Sequence, residues 1–121
     1  MDWWWSGVPD VRAVGRAADR LARSGAFGLL VLDLGPQADL PTPLLSRLLG
    51  LARKHDTAVV FLTKKAPHVP SLSSLVSLRG ESTLQHVGED RFTAVLHASK
   101  DKCRAPGWNH SEPCCGPPGL R

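Results

Sequence analysis

The chain has 121 residues, long enough for one domain and too short for two of ordinary size. A hydrophobic fraction of 42%, gathered into runs, excludes a generally disordered chain, and no apolar stretch approaches the roughly 20 residues that span a membrane. With 15 basic and 11 acidic residues the formal charge is +4, compatible with a polyanionic partner without requiring one.

Residues 1–9 read as an irregular start. Met1-Asp2-Trp3-Trp4-Trp5 lacks the basic opening and continuous apolar run of a signal peptide. Three successive tryptophans carry a large amphipathic surface; they anchor a partner, cover an open edge of a sheet, or mark a displaced start. Pro9 and Asp10 open a helix to about Arg23, with Val11, Val14, Ala18 and Leu21 at three- and four-residue steps. Ser24-Gly25 stops it, because glycine accepts a left-handed backbone.

Phe27 to Leu32 is a compact apolar run ending at Asp33, and its continuous hydrophobicity predicts a parallel strand covered on both faces. A second helix follows, with Thr42 as the cap, Pro43 at the first helical position and a stripe of Leu44, Leu45, Leu48, Leu49 and Ala52. Arg53, Lys54 and His55 suit its negative end. Thr57–Leu62 is the next strand, and the strand–helix–strand order is long enough for a parallel crossover. Lys64 to Ser71, with two lysines, two prolines and a histidine, reads as a connection. Leu75–Arg79 and Phe92–His97 are later strands, turned by Gly88-Glu89-Asp90 into an antiparallel pair at the edge of the same sheet. From Cys103 onward the prolines and glycines oppose regular structure, so residues 10–105 form the core and residues 106–121 a tail.

Ala18–Phe27 followed by Leu29-Leu30-Val31-Leu32-Asp33 resembles the helix and Walker B strand of the bacterial RecA recombinases, and Ala58–Lys64 resembles their next core strand. That family usually ends the latter in Asn-Gln, where this chain has Thr63-Lys64. Lys100-Asp101-Lys102-Cys103-Arg104-Ala105-Pro106 resembles the family's Lys-x-Lys followed by small residues and proline. The phosphate-binding loop Gly-x-x-x-x-Gly-Lys-[Ser/Thr] is absent. The Thr42–Ala52 helix, Leu75–Arg79 and the tail from Pro106 to Leu120 are similar to the ImuA proteins, divergent RecA-like accessory factors of SOS-induced translesion synthesis. The resemblance implies an α/β fold: a truncated RecA-like P-loop core, mostly parallel, with an antiparallel C-terminal edge. It implies a noncatalytic part in DNA repair alongside RecA and an error-prone polymerase. Alternatives are a fragment of a DNA-dependent ATPase that needs a separate Walker A half, and a nonfunctional gene fragment.

By that resemblance Asp33 is a Walker B-like vestige near nucleotide-bound magnesium, and Lys100 and Lys102 approach nucleotide across a subunit boundary. ATP and magnesium are expected only where a complementary Walker A segment is supplied. Lys64 and Lys65, with His68 nearby, are candidates for contact with DNA or an acidic protein; with no aromatic residue among them, a base-stacking platform is missing. His110, Cys114 and Cys115, even with Cys103, lack the spaced pairs of a zinc clamp. An odd cysteine count with an adjacent pair makes a poor disulfide framework, which predicts a reducing, cytoplasmic setting and no membrane.

Overall fold

A computed structural model describes residues 10–36 and 39–116, so the Trp3-Trp4-Trp5 run lies outside the described residues. The chain divides into two compact units, Met1–Leu75 and Val76–Arg121.

The first unit is built on helix–strand–helix–strand order: α1 (Val11–Ser24), β1 (Leu29–Gly35), α2 (Thr42–His55) and β2 (Ala58–Thr63). Asp10 caps α1, its carboxylate accepting the Arg12 N–H at 3.1 Å. Gly25 ends α1 in the left-handed conformation at φ 67°, which only glycine adopts without penalty. α2 begins differently from the expectation. Pro41 holds the cap position, no side chain caps the helix, and Thr42 is its first residue. With Pro43 in the first turn, one free N–H is already missing, so a side-chain acceptor has less to satisfy.

β1 and β2 pair in parallel, Leu29 opposite Ala58, Val31 opposite Val60 and Asp33 opposite Leu62. Thr57 Oγ1 donates to the Phe27 carbonyl at 2.8 Å and the Ala58 N–H to the Gly28 carbonyl at 2.9 Å, fixing this register where the pair begins. Leu30, Leu32 and Leu34 turn to one side and pack with Ala18, Ala22, Leu40, Leu45 and Leu48 in the core. Each such leucine contributes about 1.5–3 kcal/mol by leaving water. Gly15 lets the helices approach: a Cβ there would meet Leu44 Cδ2 at 2.6 Å.

The expectation that β1 is covered on both faces is corrected. Its burial alternates, and Leu29 and Val31 are exposed. Both helices serve the leucine face, and the periodicity of two was hidden because the residues facing away are themselves apolar.

The second unit is a three-stranded antiparallel sheet in the order β3 (Leu78–His86), β4 (Arg91–Asp101), β5 (Asn109–Cys115). The antiparallel pair joined through Gly88-Glu89-Asp90 is present, but it forms a sheet of its own and not the edge of the parallel one. The fold class is α/β with both pairings, and the expected mostly parallel sheet is matched only in part, by the β1–β2 pair. β3 starts three residues later than Leu75 and runs through Glu81-Ser82-Thr83, whose polarity hid it. The expectation of irregular chain beyond Cys103 is likewise corrected: Asn109–Cys115 pairs with β4, including Pro113 opposite Thr93. An edge strand tolerates proline because only part of its backbone needs an inward partner. Gly107, at φ 98°, makes the turn into it. Among the described residues of this unit, Ala98 is the buried apolar one.

Candidate functional site

The carboxyl ends of parallel strands are where loops converge on ligands in open α/β sheets. In the first unit that end opens into a cleft of about 1640 Å³. Arg12 and Arg16 reach it from α1, Arg47 from α2, and Lys64 and Lys65 from the chain following β2. Asp10, Asp19, Asp33 and Asp39 line it as well, so five cations face four carboxylates.

Three of the four acids have an identifiable partner. Asp33 Oδ1 accepts the N–H of Gly35 at 3.2 Å, closing a small turn at the strand exit, where Gly35 stands at φ 65°. The Gly35 carbonyl in turn accepts the Lys64 N–H at 3.3 Å, which ties the first residue of the basic connection to the end of β1. Asp19 is held between two arginines. Arg23 Nε lies 3.2 Å from Oδ2, and Arg47 Nε lies 2.8 Å from Oδ1 without the alignment of a hydrogen bond. Asp10 is engaged at the start of α1. Asp10, Asp19 and Asp33 are thus engaged by groups of the first unit, and Lys64, exposed, and Lys65, half-buried, line the same cleft.

The structure thus brings Asp33, Lys64 and Lys65 to one cleft. His68 is exposed on the same connection and is not among the residues lining it. Lys100 and Lys102 belong to the second unit: Lys100 is the penultimate residue of β4, and Lys102 follows it, its N–H donating to the Ser77 carbonyl at 2.9 Å. Burial, and then the charge of Lys102, push the Lys100 ammonium below the usual lysine range. Between them Asp101 accepts from the Trp108 indole N–H at 2.9 Å and from the backbone N–H groups of Cys103 at 2.8 Å and Arg104 at 3.1 Å. That carboxylate is held below the usual aspartate range, first by the indole and then by the Cys103 N–H.

Arg12, Arg16 and Arg47 are not among the residues the sequence singled out. The four-residue spacing of Arg12 and Arg16 places both on one helical face and was the available signal.

Asp33 would offer a nucleotide-bound magnesium a single carboxylate, one oxygen of which already accepts the Gly35 N–H. Magnesium in such sites is carried largely by phosphate, and phosphate needs a closed row of backbone donors and a lysine from a phosphate loop, which the sequence does not contain. Among the described residues no group of three or more His, Cys, Asp and Glu side chains could hold a metal, and Cys103, Cys114 and Cys115 are free thiols on the surface. Among those residues, too, no helix is long and apolar enough to cross a membrane. No protein-family model matches the chain, and a search of curated proteins returns no match.

Proposed function

We propose that this chain is a noncatalytic RecA/ImuA-like accessory module of cytoplasmic DNA repair or translesion synthesis, acting through contacts with RecA, an error-prone polymerase or an associated factor. One observation carries the reading: a parallel strand–helix–strand unit sets Asp33 and Lys64 at the same strand ends, in the order of the RecA-like motifs, with no phosphate loop in the chain. The acid keeps its place at the strand exit while the elements that grip nucleotide are missing, so the surface around it is left for binding rather than turnover.

The lysines lining the cleft support a second contact, with nucleic acid. Lysine attracts phosphate without a fixed bidentate geometry, so Lys64 and Lys65 would follow a backbone without reading bases. The four carboxylates lining the same cleft keep such binding weak and salt-sensitive.

The test is a binding isotherm of the purified, folded chain with RecA filaments and with the polymerase, beside an ATPase assay of the chain alone. Saturable binding without turnover supports the module. A folded chain that binds neither protein, or that hydrolyses ATP by itself, overturns it.

A further inference from the structure

α1 turns one side to the core and the other to solvent. Ala18 and Ala22 are buried, and Val11 and Val14 pack against the same core. Arg12, Arg16 and Arg20 are exposed and stand four residues apart, so they succeed one another at about 6 Å along about 12 Å of helix. Ala13, Ala17 and Leu21 run beside them, and with Arg16 and Arg20 they line a shallow depression.

Like charges at i and i+4 repel, and a helix gains from setting acids among them. The one acid of α1, Asp19, is only 13% exposed and is engaged by Arg23 and Arg47 instead. Asp10, at the start of the helix, accepts the backbone N–H of Arg12. Among the described residues no carboxylate forms an ion pair with Arg12, Arg16 or Arg20. α1 therefore carries a row of mutually repelling cations on its outer side.

The shape of the row selects the partner. A small anion is gripped by cations that converge on one point, whereas these follow a line, as the charges of a polyanion do. A bilayer takes up a helix by its apolar face, and that face of α1 is already in the core, with Leu21, 40% exposed, as the large apolar side chain left outside. Guanidinium forks match phosphate oxygens, and the small alanines beside them let a sugar–phosphate chain lie close. Arg12 and Arg16 also line the cleft that holds Lys64 and Lys65, so the row leads on to further cations. We propose that the outer face of α1 binds the phosphate backbone of a nucleic acid through Arg12, Arg16 and Arg20, without reading its bases. This surface goes beyond the accessory role above and needs no protein partner.

Fluorescence anisotropy of the full chain with a labelled oligothymidine and with a labelled duplex, at several salt concentrations, tests this. Replacing Arg12, Arg16 and Arg20 together by glutamine should lower affinity by roughly tenfold or more. For the oligothymidine it should flatten the salt dependence by about two units of slope, from three phosphates at about 0.7 each. Glutamine keeps helix propensity and removes the repulsion, so this variant should melt no lower than the parent. Lysine at the same three positions should retain the slope, because every charge remains. Arg20 is not among the residues lining the cleft, so Arg20→Gln alone separates this face from the cleft and should flatten the slope by about 0.7. A parent chain that binds neither DNA, a triple glutamine variant that binds as the parent does, or an unchanged slope in Arg20→Gln overturns the proposal. Equal or tighter binding of polyglutamate or of phosphatidylserine vesicles would assign the row to an acidic protein or a lipid surface and overturns it as well. None of these outcomes bears on the isotherms with RecA and the polymerase, which are measured without DNA.

Discussion

The indole of Trp108 donates its N–H to Asp101 Oδ2 at 2.9 Å, and the opposite oxygen of the same carboxylate gathers the N–H groups of Cys103 and Arg104. One ionised side chain thus organises the turn between β4 and β5. The Arg104 guanidinium lies 5.5 Å from the centre of the Trp108 ring and completes the arrangement.

This turn should depend on pH in one direction. The Asp101 pKa is depressed in the folded chain, so the folded state binds fewer protons there than the unfolded one. Its contribution is present above the ordinary aspartate pKa of about 3.9 and is lost as pH falls through the depressed folded value. A titration following the Trp108 indole N–H resonance should show it moving toward its unbonded position only in that acidic range. Asp101→Asn should remove the titration, because an amide at this position has no proton to gain.

A second expectation concerns the two helix starts. Asp10→Ala removes an observed cap bond and should cost about 1 kcal/mol, read from the denaturant midpoint. Thr42→Ala should cost only a few tenths of a kcal/mol, the scale of a surface change, since no side chain caps α2. Equal losses at the two positions would show that Thr42 holds α2 after all.

These two helices also show how much of the fold could be read beforehand. α1 and α2 announce themselves because Ala18, Leu45 and Leu48 recur at helical spacing, and β1 and β2 because they are compact apolar runs. One-sided burial of β1 was not legible, since Leu29 and Val31 look the same in the sequence whether covered or bare. β3 and β5 were misplaced for the opposite reason: Glu81, Ser82, Glu112 and Pro113 carry no apolar signal, and it is pairing with β4 that makes them strands. At the cleft, Asp33 was singled out through its motif and Lys64 as part of a basic connection. Arg47 was not, because only folding brings it to Asp19.

The contrast between the units gives a third expectation. Leu48 is 2% exposed in the first unit, and Leu48→Ala should cost about 2–5 kcal/mol through reduced burial and a residual cavity. Leu84 in β3 is 74% exposed, and Leu84→Ala should stay within about 0.5 kcal/mol. Thermal or urea melts of both variants would register the difference. A large loss at Leu84 would mean that its side of the sheet is covered in solution.

The last expectation separates two uses of the cleft, and its sign rests on charge. If the lysines of the cleft meet a polyanion, Lys64→Glu with Lys65→Glu should weaken binding to single-stranded DNA and flatten its salt dependence by about one unit of slope for each phosphate no longer neutralised. Asp33→Asn should then strengthen binding about twofold, because it removes a repelling charge at an exposed site. If Asp33 instead served a cation brought in with a nucleotide, the same change would weaken nucleotide binding and leave DNA affinity unmoved. Fluorescence anisotropy with a labelled oligonucleotide at several salt concentrations distinguishes the two. The neutral variant is the informative one, since it keeps the Oδ1 acceptor for the Gly35 N–H and therefore changes charge with little change in the shape of the strand exit.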